Sequence, residues 1–268
     1  MWLKKPRLKR NKKVAMSIPG NKLALVTGAA QGIGFSISER LVDIGYSVAM
    51  LDINPSVVES AKLLASKNAD VKGYVLDLSN LNSIRSLEAL MGESFKNLSV
   101  LVNNAGISPK HQGKKRQFID IPLDEWQRVI DINLTANFLI TQICLVPMMS
   151  HQHGRVINIT SQAARTRTPI PGAHYAASKA GIAGYTRILA GEVAQCGITV
   201  NCIAPGRIES KMTAEVGGSI NTELAKSIPM GRLGKPQDVA AVVEFLVSDN
   251  ASYLTGVTID VNGGNFMP

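Results

Sequence analysis

Cysteine is scarce in this chain: three residues, Cys144, Cys196 and Cys202, in 268. They stand in apolar surroundings, without the paired spacing of a metal site or the density of a disulfide framework. They read as core residues of a protein in a reducing cytoplasm. Long apolar runs are missing too. No stretch reads as the ~18 residues expected of a membrane span, so the body of the chain is expected to be soluble, with no membrane partner. Acidic residues are absent from residues 1–15, which hold seven Lys and Arg. Outside that arm 22 basic residues face 20 acidic ones, so the formal charge of +9 falls to +2. The arm lacks the apolar core of a secretory signal and the serine content of a transit peptide. A basic arm can meet nucleic acid or an anionic membrane. The favoured reading is a disordered or extraneous extension over 1–18, with no nucleic-acid partner, ahead of a single domain over 19–268.

What is present is an alternation of short buried-type strands and helices. With 45% hydrophobic residues, the chain can bury one sizeable α/β core. Leu23–Val26 runs into Thr27-Gly28-Ala-Ala-Gln31-Gly32-Ile33-Gly34 and then a helix to about Ile44. A strand feeding a glycine-rich turn and a helix N-terminus is suited to a pyrophosphate: Gly28 permits the turn, Gly32 lets backbone approach phosphate, and Gly34 lets helix and strand pack closely. A second strand, Tyr46–Leu51, ends in Asp52, eighteen residues after Gly34. An acid there suits the ribose hydroxyls of NAD and repels the 2′-phosphate of NADP. Asp52 is equally placed to cap the turn before Asn54-Pro55. Further strands are read at Gly73–Leu76, Ser99–Val102, Arg155–Thr160 and Thr199–Ala204, with a long helix from about Leu123 to Val146. The alternation predicts a doubly wound parallel sheet of about seven strands, a Rossmann-type fold with helices on both faces.

Between Gly154 and Gly181 lies the most chemically pointed stretch. Ser161 stands at a strand end, and Tyr175 and Lys179 are four residues apart at the start of a helix, on one face. A phenol with a pKa of about 10 is a poor acid or base at neutral pH. A neighbouring ammonium is expected to bring it towards the working range. Ser161 is placed to hydrogen-bond an oxygen on which negative charge develops, with Thr160 as the alternative hydroxyl.

These motifs resemble the short-chain dehydrogenase/reductase family, in order, over about residues 19 to 266. The carriers are Thr-Gly-x-x-x-Gly-x-Gly at 27–34, Asp77-Leu78, Asn103-Asn104-Ala105-Gly106, Asn133, Ser161, Tyr175-x-x-x-Lys179 and Pro205-Gly206-x-Ile208-x-Ser210. The resemblance implies an oxidoreductase moving hydride between a nicotinamide and a secondary alcohol or ketone. In it Ser161 steadies the oxygen, Tyr175 passes the proton, Lys179 lowers the tyrosine pKa and binds ribose, and Asn133 (rather than Asn137) supports a water relay. It implies cofactor contacts from Gly28, Gln31, Gly32, Ile33, Gly34, Asp52, Ile53, Asp77, Leu78, Asn104, Ala105, Gly106, Tyr175, Lys179, Pro205, Gly206, Ile208 and Ser210, and no metal. Relatives that prefer NADP usually place a basic residue where this chain has Gln31, Ile53 and Asn54, so NAD is expected over NADP. That expectation tilts the reaction towards oxidation. It also counts against the alternative of a 3-oxoacyl thioester reductase. A non-catalytic dinucleotide sensor is the reading from another class. The loop 107–122, with Lys110, His111, Lys114, Lys115 and Arg116, is expected to overhang the cleft and favour an anionic substrate. Residues 211–227 are expected to form a lid. The small-residue helix to about Ala194 suggests a homotetramer.

Overall fold

A computed structural model of the protein describes residues 22–65, 69–210, 213 and 218–268; the basic arm and part of the expected lid lie outside them. Seven strands form one parallel sheet: β1 Leu23–Thr27, β2 Ser47–Asp52, β3 Val71–Val75, β4 Leu98–Asn103, β5 Gly154–Ile159, β6 Ile198–Pro205 and β7 Thr258–Val261. Their order is β3-β2-β1-β4-β5-β6-β7, so the chain reverses direction across the sheet between β1 and β4. That switch opens a crevice at the carboxyl ends of both strands.

The inner strands are buried on both faces, which is why they read as unbroken apolar runs rather than as alternation: β1, β4, β5 and β6 are buried at every position. Helices α1 Gly32–Asp43 and α2 Val57–Ala65 cover one face, together with a late helix at Pro236–Val247. Short helices α3 Leu81–Arg85 and α4 Leu87–Met91 join the long helices on the other face. These are α5 Leu123–Ile130, α6 Ala136–His151 and α7 Ala173–Val193. Ile37 and Leu41 of α1 and Ile140 and Met148 of α6 are fully buried against the sheet. Helix α8 spans Gly218–Ser227, and the Pro236–Val247 helix is α9.

One expectation is corrected. Helices α5 and α6 join through a π-helical turn, Asp131–Thr135, into a continuous helix, Leu123–His151, of 29 residues. Its most apolar 18-residue window has a mean hydropathy of 1.6, so it is long and apolar enough to cross a membrane by length and composition. Its charged residues, Asp124, Glu125, Arg128 and Asp131, lie in its first nine positions, and beyond them the polar side chains are mostly Asn, Thr and Gln, which is why it passes. Here the helix lies along the sheet, and its buried face is hydrogen-bonded to its neighbours. The Asn103 amide donates to Thr141 Oγ1 and to Asn158 Oδ1, each at 2.9 Å, and the Asn158 amide donates to Thr186 Oγ1 on α7 at 2.9 Å. Asn137 accepts from the Tyr185 hydroxyl. This polar ladder fixes α6 and α7 in register on β4 and β5. Cys144 and Cys202 are buried, Cys196 is half-buried, and all three are free thiols.

Candidate active site

The switch point carries a groove of about 660 Å³. Gly28, Gln31, Gly32 and Ile33 line it from the first turn, and Asp52 and Ile53 from the end of β2. Asp77 and Leu78 follow β3, Asn104, Ala105 and Gly106 follow β4, and Ser210 approaches from beyond β6. Twelve residues expected to meet a dinucleotide are therefore brought together by topology alone. Gly34 stands behind them: a Cβ there would lie 2.1 Å from the Gly28 carbonyl oxygen. Gly28 has φ +64°, a conformation that L side chains rarely adopt, and its built Cβ would lie 2.9 Å from Ala105 Cα. Asn104 pins the two turns together, its amide donating to the Thr27 and Gly28 carbonyls at 3.0 Å each. Groove and turn thus fit a dinucleotide: backbone can approach phosphate at the N-terminus of α1, and carboxylates stand at the ends of β2 and β3.

Ile208 does not join this group. Its side chain is buried and packs against Gly234, where a Cβ would lie 2.4 Å from Ile208 Cδ1. Pro205 and Gly206 line a second cavity instead, beside the groove and about 160 Å³ in volume. The two adjoin: Gly106 and Ile107 face the groove, while Ser108 and Lys110 face the cavity. Ser161 and Tyr175 stand in the cavity wall with Thr168, Pro169, Ile170, Pro171, Leu224 and Ile228.

Ser161 and Thr160 differ in where they point. Thr160 is 2% exposed and donates its hydroxyl to the Ile203 carbonyl at 2.8 Å, tying β5 to β6. Ser161 opens into the cavity with the Tyr175 phenol, whose pKa its hydroxyl acts to lower. Its oxygen also accepts the Ala163 N–H at 3.1 Å, which holds the serine at the strand end. Lys179 is buried, one turn along α7, with Nζ 5.8 Å from the Tyr175 ring centre. Asn133, in the π turn, is fully buried. Its Oδ1 accepts the Ile107 N–H at 2.8 Å, and its amide donates to the Ile107 carbonyl at 3.0 Å and to Ser178 Oγ at 3.1 Å. A Cβ built on Gly106 would lie 3.2 Å from Asn133 Oδ1 and 3.3 Å from Lys179 Nζ, so both side chains meet at the groove's inner end. Asn137, the competitor, is held by Tyr185 away from this point.

The electrostatics differ from expectation in one respect. Burial raises the Tyr175 phenol above its ordinary value, and the Ser161 hydroxyl opposes this only in part. Burial outweighs the opposing influence on the phenol, and the Lys179 ammonium donates to the Ile159 carbonyl at 2.8 Å. Burial depresses Lys179 itself to about 8, with Cys202 acting weakly the other way. The phenol is therefore protonated at neutral pH.

Three residues of the site carry no recognisable motif. Arg207 lines the cavity and donates to the Thr213 carbonyl at 3.0 Å. Arg128 reaches the groove from α5, on the helix face it shares with Ile132 four residues on. Glu125, also on α5, gathers His111, Arg116 and His174. Helical spacing alone would have paired Arg128 with Ile132; nothing in the sequence pairs Glu125 with residues 14 before and 49 after it. His111 and Arg116 are thus bound to a carboxylate, and of the five basic residues expected over the cleft only Lys110 lines the cavity.

A parallel sheet with a glycine turn at its switch point, and a serine, tyrosine and lysine beside it, defines a Rossmann-type oxidoreductase. The family model described as enoyl-(acyl carrier protein) reductase matches residues 28–265. The 3-oxoacyl-(acyl-carrier-protein) reductase FabG of Vibrio cholerae is 37% identical over 252 residues, 94% of this chain and 100% of that protein. Among solved structures, a 3-oxoacyl-(acyl-carrier protein) reductase from Brucella melitensis with bound NAD superposes with a TM-score of 0.85 at 35% identity, covering 94% of this chain and 93% of that one. An actinorhodin polyketide ketoreductase with NADPH superposes with a TM-score of 0.84 at 30% identity, covering 91% and 97%. The chain belongs to the short-chain dehydrogenase/reductase family, and it is an oxidoreductase acting between a ketone and its alcohol.

The expected preference for NAD is corrected by the ketoreductase, which shares this fold and binds NADPH. The physical reason lies in Asp52, whose two oxygens are already engaged by backbone: Oδ2 accepts the Ala30 N–H at 3.0 Å and Oδ1 the Asn54 N–H at 2.9 Å. The carboxylate closes the glycine turn, and that structural duty accounts for an acid at this position without a choice of cofactor. The tilt towards oxidation, and the objection to a thioester reductase, fall with it.

Proposed function

We propose that this protein reduces the 3-oxo group of an acyl substrate bearing an anionic end, with a nicotinamide dinucleotide as the electron source. The observation that carries the reading is the meeting of Ser161 and Tyr175 in the wall of a cavity that adjoins the dinucleotide groove. Among the described residues the cavity wall holds two cations, Lys110 and Arg207, and no carboxylate. Its remaining walls are mostly apolar, suited to an acyl chain. The relatives named as 3-oxoacyl-(acyl-carrier-protein) reductases support the same substrate class.

Bound in the groove, the nicotinamide supplies or takes up hydride. The chain's own residues handle the oxygen and its proton. Ser161 donates a hydrogen bond to the substrate oxygen, which gains negative charge as hydride arrives at carbon. Tyr175, kept protonated by burial, gives its proton to that oxygen. The ammonium of Lys179, one turn away, offsets the charge left on the phenolate and meets the cofactor's ribose. Asn133 holds the backbone at Ile107 and, with Lys179, borders the path by which water restores the proton. The exposed apolar residues Phe138, Val146 and Ile188 on α6 and α7 support a homotetramer.

The test is turnover of acetoacetyl-coenzyme A, free 3-oxo acids and neutral ketones with NADH and with NADPH, followed at the nicotinamide absorbance. Reduction of the acidic 3-oxo substrates ahead of neutral ketones of equal size is the expected result. Preference for the neutral ketones would defeat the substrate reading, and no turnover with any of them would defeat the reductase reading.

A further inference from the structure

Glu125 has one carboxylate and three partners, drawn from two other parts of the chain. Oε2 accepts from His111 Nε2 at 2.7 Å and from Arg116 Nε at 3.1 Å. Oε1 takes His174 Nε2 at 3.0 Å. The side chain is only 14% exposed, and that of His174 only 2%. Burial alone would raise the carboxyl, but hydrogen bonds from His174, Arg116 and His111 hold it down to about 2. It is therefore a carboxylate wherever the enzyme works.

Each partner leads to one half of the site. His174 immediately precedes Tyr175, and its Nδ1 accepts the Tyr175 backbone N–H at 2.7 Å, one of the unpaired donors of the first turn of α7. That contact makes Nδ1 the acceptor and Nε2 the protonated nitrogen, so the bond to Glu125 fixes both tautomer and ring orientation. Gly172 leaves the ring its room, since a Cβ there would lie 2.6 Å from His174 Cε1. On the other side, His111 and Lys114 pair across a two-residue turn, with N···O distances of 2.7 and 3.0 Å. Gln112 and Gly113 between them have φ of 51° and 76°, as such a turn requires. This small hairpin, hung on Glu125 by His111 and Arg116, continues from Ser108 and Lys110 in the cavity wall.

We propose that Glu125 is a positioning residue that sets both halves of the site at once: through His174 it orients the turn carrying Tyr175, and through His111 and Arg116 it holds the loop that presents Lys110 to the substrate. The kinetic part of this inference rests on the reductase reading above; the structural part does not.

The experiment compares Glu125→Ala, His174→Ala and the double variant His111→Ala/Arg116→Ala in the full chain. Freeing the loop raises KM for an acidic 3-oxo substrate about tenfold in the double variant, with kcat within about twofold of wild type. Loosening the tyrosine's turn lowers kcat about tenfold or more in His174→Ala, with KM little changed. Glu125→Ala shows both effects, and added formate, filling the vacated site, restores part of the lost rate there but not in His174→Ala. Amide hydrogen exchange supplies the readout that needs no substrate: Glu125→Ala speeds exchange in 108–116 and in 174–176 while the central strands stay protected. If the acidic substrates are not turned over but exchange rises in both segments, the reductase reading fails and the positioning role stands. Exchange unchanged in either segment, or rising everywhere alongside a lower Tm, overturns the proposal, as does the same KM and kcat pattern in all three variants. The double variant alters only partly exposed loop residues, so it folds and reports even where Glu125→Ala does not.

Discussion

Gly34→Ala adds one methyl group where the helix of the glycine turn comes closest to the strand it follows. The new Cβ would lie 2.1 Å from the Gly28 carbonyl oxygen and 2.7 Å from the Asn104 amide nitrogen. Neither neighbour is a flexible side-chain end: one is backbone, and the other is clamped by hydrogen bonds to Thr27 and Gly28. Contacts of this kind do not fall below 3.0 Å, so α1 and the turn must part by about 1 Å. Overpacking of this sort costs about 1–3 kcal/mol, and loosening the two Asn104 hydrogen bonds adds about 1 kcal/mol each. Alanine is the better helix former by about 1 kcal/mol, which offsets part of the loss. The net of about 2–4 kcal/mol corresponds to a fall in Tm of roughly 5–15 °C for a domain of this size. Because the same turn must bring backbone N–H groups to phosphate, dinucleotide affinity should fall more than about tenfold. Calorimetric melting and titration of the dinucleotide against the variant check both. An unchanged Tm together with an unchanged Kd would refute the reasoning that close packing at Gly34 shapes the cofactor turn.

Replacing Lys110 and Arg207 with Met should raise KM for an acidic 3-oxo substrate about tenfold or more, as the loss of charged hydrogen bonds of about 1.5–3 kcal/mol implies, and should leave KM for a neutral ketone nearly unchanged. Equal effects on both substrates would remove the case for anion recognition. The pH dependence has a defined sign. Burial holds the Tyr175 phenol above its ordinary value, so the proton needed for reduction is present throughout neutral pH. Lys179, lowered by burial to about 8, loses its charge above that point and with it the means to offset a phenolate. Reduction should run level below pH 8 and decline above it; a reductive kcat that climbs above pH 8 would contradict this assignment.

Much of this was legible because backbone demands are written in single residues. A glycine that must have φ above zero, or must admit a carbonyl at 2.1 Å, admits almost nothing else, so the turn at 28–34 declares itself. Tyr175 and Lys179 are likewise placed by helix geometry alone. The sequence could not show what depends on distance between remote elements. It placed a cation near the phenol but not the Ile159 carbonyl that engages it. It offered Asp52 as a ribose ligand but did not show the backbone N–H groups, 22 residues before and two after, that also bind its carboxylate. The five basic residues of loop 107–122 read as one patch, yet Glu125 binds two of them and leaves Lys110 to join Arg207 in the cavity wall. The long apolar helix was hidden for the opposite reason, since scattered polar residues break up its apolar run.

The central claim is that the Tyr175 phenol delivers the proton to a substrate oxygen steadied by Ser161. Tyr175→Phe removes one oxygen and keeps the ring, so the most direct measurement pairs its turnover of the best 3-oxo substrate with its dinucleotide Kd. A fall in kcat of about 10²–10⁴-fold with Kd within about threefold is the predicted result. Turnover that survives the substitution would contradict the claim.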